Sequence, residues 1–160
     1  MEKSITLLYP SQQNKAVAKL VEDTLSQVEV GAVLTVQDVI VPGSRLRGKK
    51  ADLQRRAGAY VNTVFAFIGA EYGRCLSEYQ WQKLLQKQNL SIIELQTKQT
   101  LIDFDEWIAP ANLTKNDRLR LRAMIIQAPQ QALEFLTPQI TGDRIQFHIT
   151  ELTISGKFAP

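Results

Sequence analysis

Asp38 is the side chain of this chain best placed for chemistry. It lies near the end of Val33 to Val41, a run almost continuous in apolar and β-branched residues, just before Pro42-Gly43. Such a run reads as a strand covered on both faces, and ligands of α/β sheets gather at the carboxyl ends of strands. The expected role of Asp38 is to line that crevice; the plainer role is a turn-forming carboxylate. Tyr60, Asn62, Phe65, Phe67 and Tyr72, on or just after a helical stretch, are a second candidate group. Aromatic core packing is the simpler account of the same residues. Arg45, Arg47, Lys49, Lys50, Arg55 and Arg56 place six cations within twelve residues, opposed only by Asp52. They form a candidate anion patch for a phosphate, an acidic partner or nucleic acid, or else a solvated loop.

Other chemistries find little support. Cys75 and His148 are the one thiol and the one imidazole of the chain. A single histidine leaves no His-rich zinc site, and no third residue completes a Cys–His nucleophile and base. Cys75 is read as a small buried hydrophobe, and His148, between Phe147 and Ile149, as pointing away from the apolar face. The eight glycines, at 31, 43, 48, 58, 69, 73, 142 and 156, include no G-x-G pair. The usual loop that cradles a phosphate or an adenosine cannot be built from them. No catalytic, metal-binding or cofactor-binding residue is assigned.

These residues must be positioned by local elements, and the apolar spacing supplies them. Ile5 to Tyr9 reads as a strand ended by Pro10. Ala16, Val17, Leu20, Val21 and Leu25 recur every three or four residues, as on an amphipathic helix, closed by Gly31. Val41 to Lys50 is a loop. Leu53, Ala57, Tyr60, Val61, Val64, Phe65 and Ile68 mark a long helix weakened at Gly58. Ser77 and Gln80 form a capping box, with Leu76 and Trp81 as the hydrophobic staple of a helix running to about Gln88. A strand begins at Leu90 to Leu95. Asp103 opens a further helix, with Ile102 and Trp107 as its staple, ended by Pro110. Thr114 opens the next, which Pro129 kinks or ends before a further turn at Ala132 to Leu136. Thr141-Gly-Asp143 is a turn, and Ile145, Phe147 and Ile149 alternate as a strand extending through Leu152 and Ile154.

Composition fits one domain over residues 1–160. The chain is 44% apolar and 22% charged, ordinary for a globular protein, with a mild net charge of +3. No apolar run approaches the ~20 residues needed to span a bilayer. No secretion signal is evident, and a single cysteine fits a reducing compartment, so a cytoplasmic location is expected.

Several segments are familiar. Val36-Gln-Asp-Val-Ile-Val-Pro42 resembles the fifth strand of class I S-adenosylmethionine-dependent methyltransferases, of the kind related to ubiquinone and menaquinone biosynthesis methyltransferases. Ala16 to Leu25 followed by Val30-Gly31 resembles the helix and glycine turn before that strand. Arg74-Cys-Leu-Ser-Glu-Tyr-Gln-Trp81 resembles the family's Leu-Ser-x-x-x-Trp segment, and Leu101-Ile-Asp-Phe-Asp-Glu-Trp107 its Asp-Phe-x-x-Trp segment. Gly142 to Phe158 looks like the closing strand pair. The matches keep their order over roughly residues 14–158.

This resemblance implies an α/β fold, a truncated Rossmann-like methyltransferase sheet of strand order 4-5-7-6 with covering helices. It implies that the family's first three strands, which carry the glycine loop and the acidic partners of the cofactor, are not represented. Tyr72 stands where the family often has a histidine. It also implies that Asp38, Tyr60, Asn62, Phe65 and Tyr72 face a substrate pocket. A sulfonium cofactor needs a close backbone turn, an acidic ribose partner and a dry adenine pocket. The expectation is therefore a C-terminal half-domain that is non-catalytic alone and serves as a binding or assembly module. It is expected to bind no cofactor by itself, and S-adenosylmethionine only with a complementary half. An uncovered strand edge at Ile5–Tyr9 predicts a homodimer or a complementary chain. The alternatives are a small-molecule methyltransferase completed by a separate half, a carrier of a small apolar ligand, and a basic protein that associates with nucleic acid.

Overall fold

A computed structural model describes residues 3–159. Its elements in chain order are β1 (Ser4–Leu8), α1 (Val17–Leu25), β2 (Val33–Ile40), α2 (Lys49–Ala66), α3 (Glu78–Lys87), β3 (Leu90–Asp103), α4 (Phe104–Ile108), α5 (Lys115–Ile126), α6 (Gln130–Leu136), β4 (Gln139–Thr141) and β5 (Arg144–Phe158). Short 3-10 turns at Pro10–Gln12, Ala70–Gly73 and Ala109–Ala111 connect some of them.

The result is a mixed α/β fold with an open five-stranded sheet. Four strands follow the order β1-β2-β5-β3, and β4 pairs with β5. β1 and β2 run parallel, Ser4 opposite Val33 and Leu8 opposite Gln37, with α1 as the crossover that parallel strands require. β5 is antiparallel to β2 on one side and to β3 on the other. Among the described residues β1 and β3 are the edges, each with one partner strand.

Two apolar cores lie on opposite faces of this sheet. On one, α1 contributes Val17, Val21 and Leu25, and α3 contributes Trp81 and Leu85. They pack on Leu34, Val36 and Ile40 of β2 and on Leu152 and Ile154 of β5. Burying a side chain such as Leu85 is worth about 2 kcal/mol. On the other face, α2, α4, α5 and α6 bring Val61, Phe65, Phe104, Leu121, Ile125 and Leu136 against Val39, Ile145 and Phe147. β5 is long enough to serve both cores, because alternate residues of a strand face opposite sides. Ile145 and Phe147 enter one core, Leu152 and Ile154 the other.

The helix starts follow the local chemistry. Gln80 N–H donates to Ser77 Oγ at 3.2 Å and Ser77 N–H donates to Gln80 Oε1 at 2.8 Å, the reciprocal capping box. Asp103 accepts from Glu106 N–H at 3.1 Å, and Thr114 from Asp117 N–H at 3.1 Å.

Some expectations need correction. β2 is not covered on both faces along its length: Val33, Thr35 and Gln37 are half-buried, and only its last three residues are buried in succession. No helix of the described chain packs its core over Thr35 and Gln37, so their face carries hydrogen bonds instead. Thr35 Oγ1 and Ser155 Oγ lie 2.7 Å apart, and Gln37 Nε2 donates to Glu151 Oε2 at 3.3 Å. α2 begins at Lys49, one turn earlier than the apolar spacing indicates, because its first turn is mostly polar. β3 continues to Asp103, far past Leu95; most of its outer half is exposed and lacks an apolar face for periodicity to detect. β4 was not expected, since its three residues form a strand only by pairing with Arg144–Gln146 across the Gly142 turn.

Candidate functional site

The two parallel strands point their carboxyl ends the same way, and the chain turns sharply after β1. Tyr9 adopts a left-handed conformation (φ 47°, ψ 53°), and its N–H donates to Gln37 O at 2.7 Å. That turn delivers Ser11 to Asp38. Ser11 N–H donates to Asp38 Oδ2 at 2.9 Å, Ser11 Oγ–H to Asp38 Oδ1 at 2.6 Å, and Val39 N–H to Asp38 Oδ1 at 2.8 Å. Asp38 is fully buried. Burial raises its pKa; the bonds from Ser11 and Val39 pull it back in part, and Glu151 adds a further push upward. Its carboxylate thus serves as a clasp between the strand tips.

Cys75 sits on this clasp, its Sγ 3.8 Å from Ser11 Oγ. Burial, with a smaller push from Asp38, drives its thiol up to about 12. Such a thiol is not a nucleophile at neutral pH. His148 is placed elsewhere, with Nδ1 hydrogen-bonded to Thr137 Oγ1. The two residues therefore do not form a pair.

Beyond β2, the segment from Val41 to Gly48 runs between α2 and α3 and borders a cleft of about 340 Å³. Pro42, Ser44, Arg55, Asn62, Ser77 and Tyr79 are among its walls. Close backbone approach makes this geometry. A Cβ at Gly58 would stand 2.1 Å from Pro42 O, so α2 can lie against the loop only with glycine there. Arg55 pins the loop from the other side, donating through Nη1 to Ser44 O at 3.1 Å and Leu46 O at 2.8 Å while Nη2 pairs with Asp52. Asn62 joins α2 to the segment entering α3: its Nδ2 donates to Cys75 O and its Oδ1 accepts from Cys75 N–H, both at 2.9 Å.

A second, smaller hollow of about 70 Å³ opens beside the clasp. Gln12, Val39, Phe65, Ile68, Tyr72 and Trp107 line it, and Cys75 borders both spaces. The aromatic wall is organised by Trp107, which meets Phe65 edge-on at 6.1 Å and Phe147 at 5.1 Å.

The structure thus divides the residues selected from sequence. Asn62 lines the larger cleft, and Phe65 and Tyr72 line the smaller hollow. Asp38 lies inside the clasp between strand tips. Tyr60 lines neither space; its hydroxyl donates to Met124 O at 3.0 Å and ties α2 to α5. Phe67 packs under the Arg120 guanidinium, 5.7 Å from the ring centre. Of the candidate anion patch, Arg55 is the member engaged with the loop, while Arg45, Arg47, Lys49, Lys50 and Arg56 are exposed. Ser11, Gly58 and Trp107 were not singled out as site residues. Ser11 offered only a signal of position, directly after the strand-ending Pro10. Among the described residues no cluster of three or more His, Cys, Asp or Glu could hold a metal ion. No described helix is long and apolar enough to cross a membrane.

No family model matches the chain, and no curated protein matches it. Solved structures do, and two of them illustrate the likeness. BH2331 of Bacillus halodurans C-125, provisionally described as a methyltransferase, superposes with a TM-score of 0.79 over 98% of this chain at 16% identity. The fold is methyltransferase-like. YcgJ of Bacillus subtilis gives a TM-score of 0.82 over 99% of this chain, also at 16% identity. At that identity the likeness is one of fold. This chain spans 70% of the length of BH2331 and 64% of that of YcgJ.

Proposed function

We propose that this chain is the substrate-side half of a class I S-adenosylmethionine-dependent methyltransferase fold. By itself it is a binding and assembly module. It takes part in methyl transfer to a small molecule only when a complementary, cofactor-holding segment joins it.

The strand order carries this reading. β1, β2, β5 and β3 take the places of strands four, five, seven and six in the resemblance to that family, and β1, the place of strand four, is an edge. In the complete order 3-2-1-4-5-7-6, strand one would pair with that edge. The polar, half-buried face over Thr35, Gln37 and Glu151 adds support, because it offers a further surface to a joining segment. This chain spans 70% and 64% of the two structural neighbours, so about a third of their length has no counterpart in it.

The residues at the strand tips do not fit the sulfonium cofactor. Asp38, the acidic residue at the tip of β2, is buried and bonded to Ser11 and Val39, so it is not free for a ribose. Gly48, at the start of α2, has φ 111°, but a Cβ there would meet nothing within 4 Å, so it makes no tight cradle. No step of methyl transfer is therefore assigned to the residues of this chain alone. Their role is to shape the substrate side: Asn62 in the larger cleft, Phe65 and Tyr72 in the aromatic hollow, and Asp38 as a positioning residue that holds the strand tips together. At about 70 Å³ the hollow admits one substituent rather than a whole quinone, which disfavours a free-standing apolar carrier.

Joining of a second copy through β1 is the simplest way to cover the edge, so a dimer is expected in analytical ultracentrifugation. Calorimetry with S-adenosylmethionine tests the central reading. No binding is expected for the purified chain. Micromolar binding by a lone protomer would overturn the proposal in favour of a self-sufficient enzyme.

A further inference from the structure

We infer that the groove between the start of α1 and the exposed side of α3 is a docking site for an acidic amphipathic helix of a partner protein. The groove has a volume of about 520 Å³. Its floor includes Val17, Leu76 and Leu84, and its walls carry Arg74, Lys83 and Lys87. Its lining surface is mostly apolar, yet it contains three cations and no carboxylate. None of the three cations has a hydrogen bond or ion pair among the described residues. The lysines of α1 and of the residues just before it differ: Lys19 and Lys15 are both within 3.5 Å of Asp23. Fixed positive charge along an apolar trough is complementary to a helix with one apolar stripe flanked by Glu or Asp.

Dimensions favour a helix over a lipid chain. On α3 the groove residues Gln80, Leu84 and Lys87 span seven positions, about 10 Å of axis or two turns. That length accepts apolar anchors at i, i+4 and i+7 of a docked helix. Ala16, Ala18, Lys83 and Lys87 are exposed, so the trough is open along its sides. An acyl chain gains affinity by being enclosed over most of its surface, which this trough does not provide. A helix need bury only one stripe and keeps its polar side in water.

The inference does not rest on the proposed methyltransferase role, but the groove and the cleft share Leu76 and Gln80. Occupation of one is therefore expected to be felt at the other through the first turn of α3.

The test is fluorescence anisotropy with a labelled synthetic helical peptide carrying Leu at i, i+4 and i+7 and Glu on both flanks. Micromolar binding is expected, with at least about tenfold weakening in the Lys83→Glu/Lys87→Glu protein and a marked loss at high salt. Ala18→Glu, at an exposed α1 position, should weaken binding comparably while leaving the circular dichroism spectrum unchanged. The same peptide with Lys in place of Glu, and a scrambled acidic peptide, should not bind. Equal binding of acidic and basic peptides, indifference to charge reversal, or no binding of the acidic peptide would overturn the proposal. Retention on phosphatidylglycerol vesicles without peptide binding would overturn it in favour of a lipid surface.

Discussion

Asn62 holds both backbone groups of Cys75, donating to its carbonyl and accepting its N–H at 2.9 Å each. This single side chain fastens α2 to the segment that caps α3, and so keeps the larger cleft and the aromatic hollow in register. Asn62→Ala leaves the Cys75 N–H and C=O without these partners, at a cost of about 2–3 kcal/mol. Urea unfolding followed by circular dichroism measures it. Asn62→Asp, which keeps an acceptor but opposes a carboxylate to the Cys75 carbonyl, should also destabilise. An unchanged midpoint in both variants would refute the role of this clip.

Cys75 is expected to be inert in the folded protein. Its thiol is buried and pushed up to about 12, so hardly any thiolate exists at neutral pH. Iodoacetamide should label it at mildly alkaline pH at least about a hundredfold more slowly in buffer than in urea. Rapid labelling of the native protein would show that the clasp is open in solution.

The Ser11–Asp38 clasp should leave a pH signature. Burial raises the Asp38 pKa above its ordinary value of 3.8, so the folded state holds this proton more tightly than the unfolded state does. The contribution of Asp38 to stability is therefore greatest at pH values below about 4 and declines as pH rises through the folded pKa. Measured as the difference in urea midpoint between wild type and Asp38→Asn, the wild-type advantage should shrink from acid towards neutral pH. A difference that grows with pH would reverse the sign assigned to this group.

Gly58→Ala reverses the usual helix preference. In an exposed helix this change gains about 1 kcal/mol. Here the added Cβ would stand 2.1 Å from Pro42 O, a backbone atom that cannot swing aside. A net loss of about 2 kcal/mol is expected, as for overpacking elsewhere. Thermal unfolding decides between the two signs.

Thr150→Val should stabilise. Thr150 is buried on β5, and its Oγ1 has no hydrogen-bond partner among the described residues. Replacing the hydroxyl by a methyl removes an unpaired polar atom without opening a void, for a gain of about 1 kcal/mol. A higher urea midpoint with an unchanged m-value is the expected result.

Much of the architecture is legible in local chemistry. Ser77 with Gln80, Asp103 with Glu106, and Thr114 with Asp117 mark helix starts, because a cap is a contact between residues three apart. Val17, Val21 and Leu25 mark the buried stripe of α1 for the same local reason. β4 and the outer half of β3 carry no periodic apolar signal, because the mostly polar residues there form strand only against β5. The candidate site was legible as a region rather than as roles. Asn62, Phe65 and Tyr72 do line cavities, but Tyr60, two residues before Asn62, is turned to Met124.

By itself, the sequence determined the capped helix starts, the apolar stripes and the lack of a paired-glycine loop, since each depends on neighbours within a few residues. Tertiary structure alone decided that Asp38 bonds inward to Ser11, that Gly58 admits the carbonyl of Pro42, and that three cations border an apolar groove beside α3. These outcomes depend on the crossing of segments far apart in the chain, where a difference of an ångström separates a ligand contact from a structural bond.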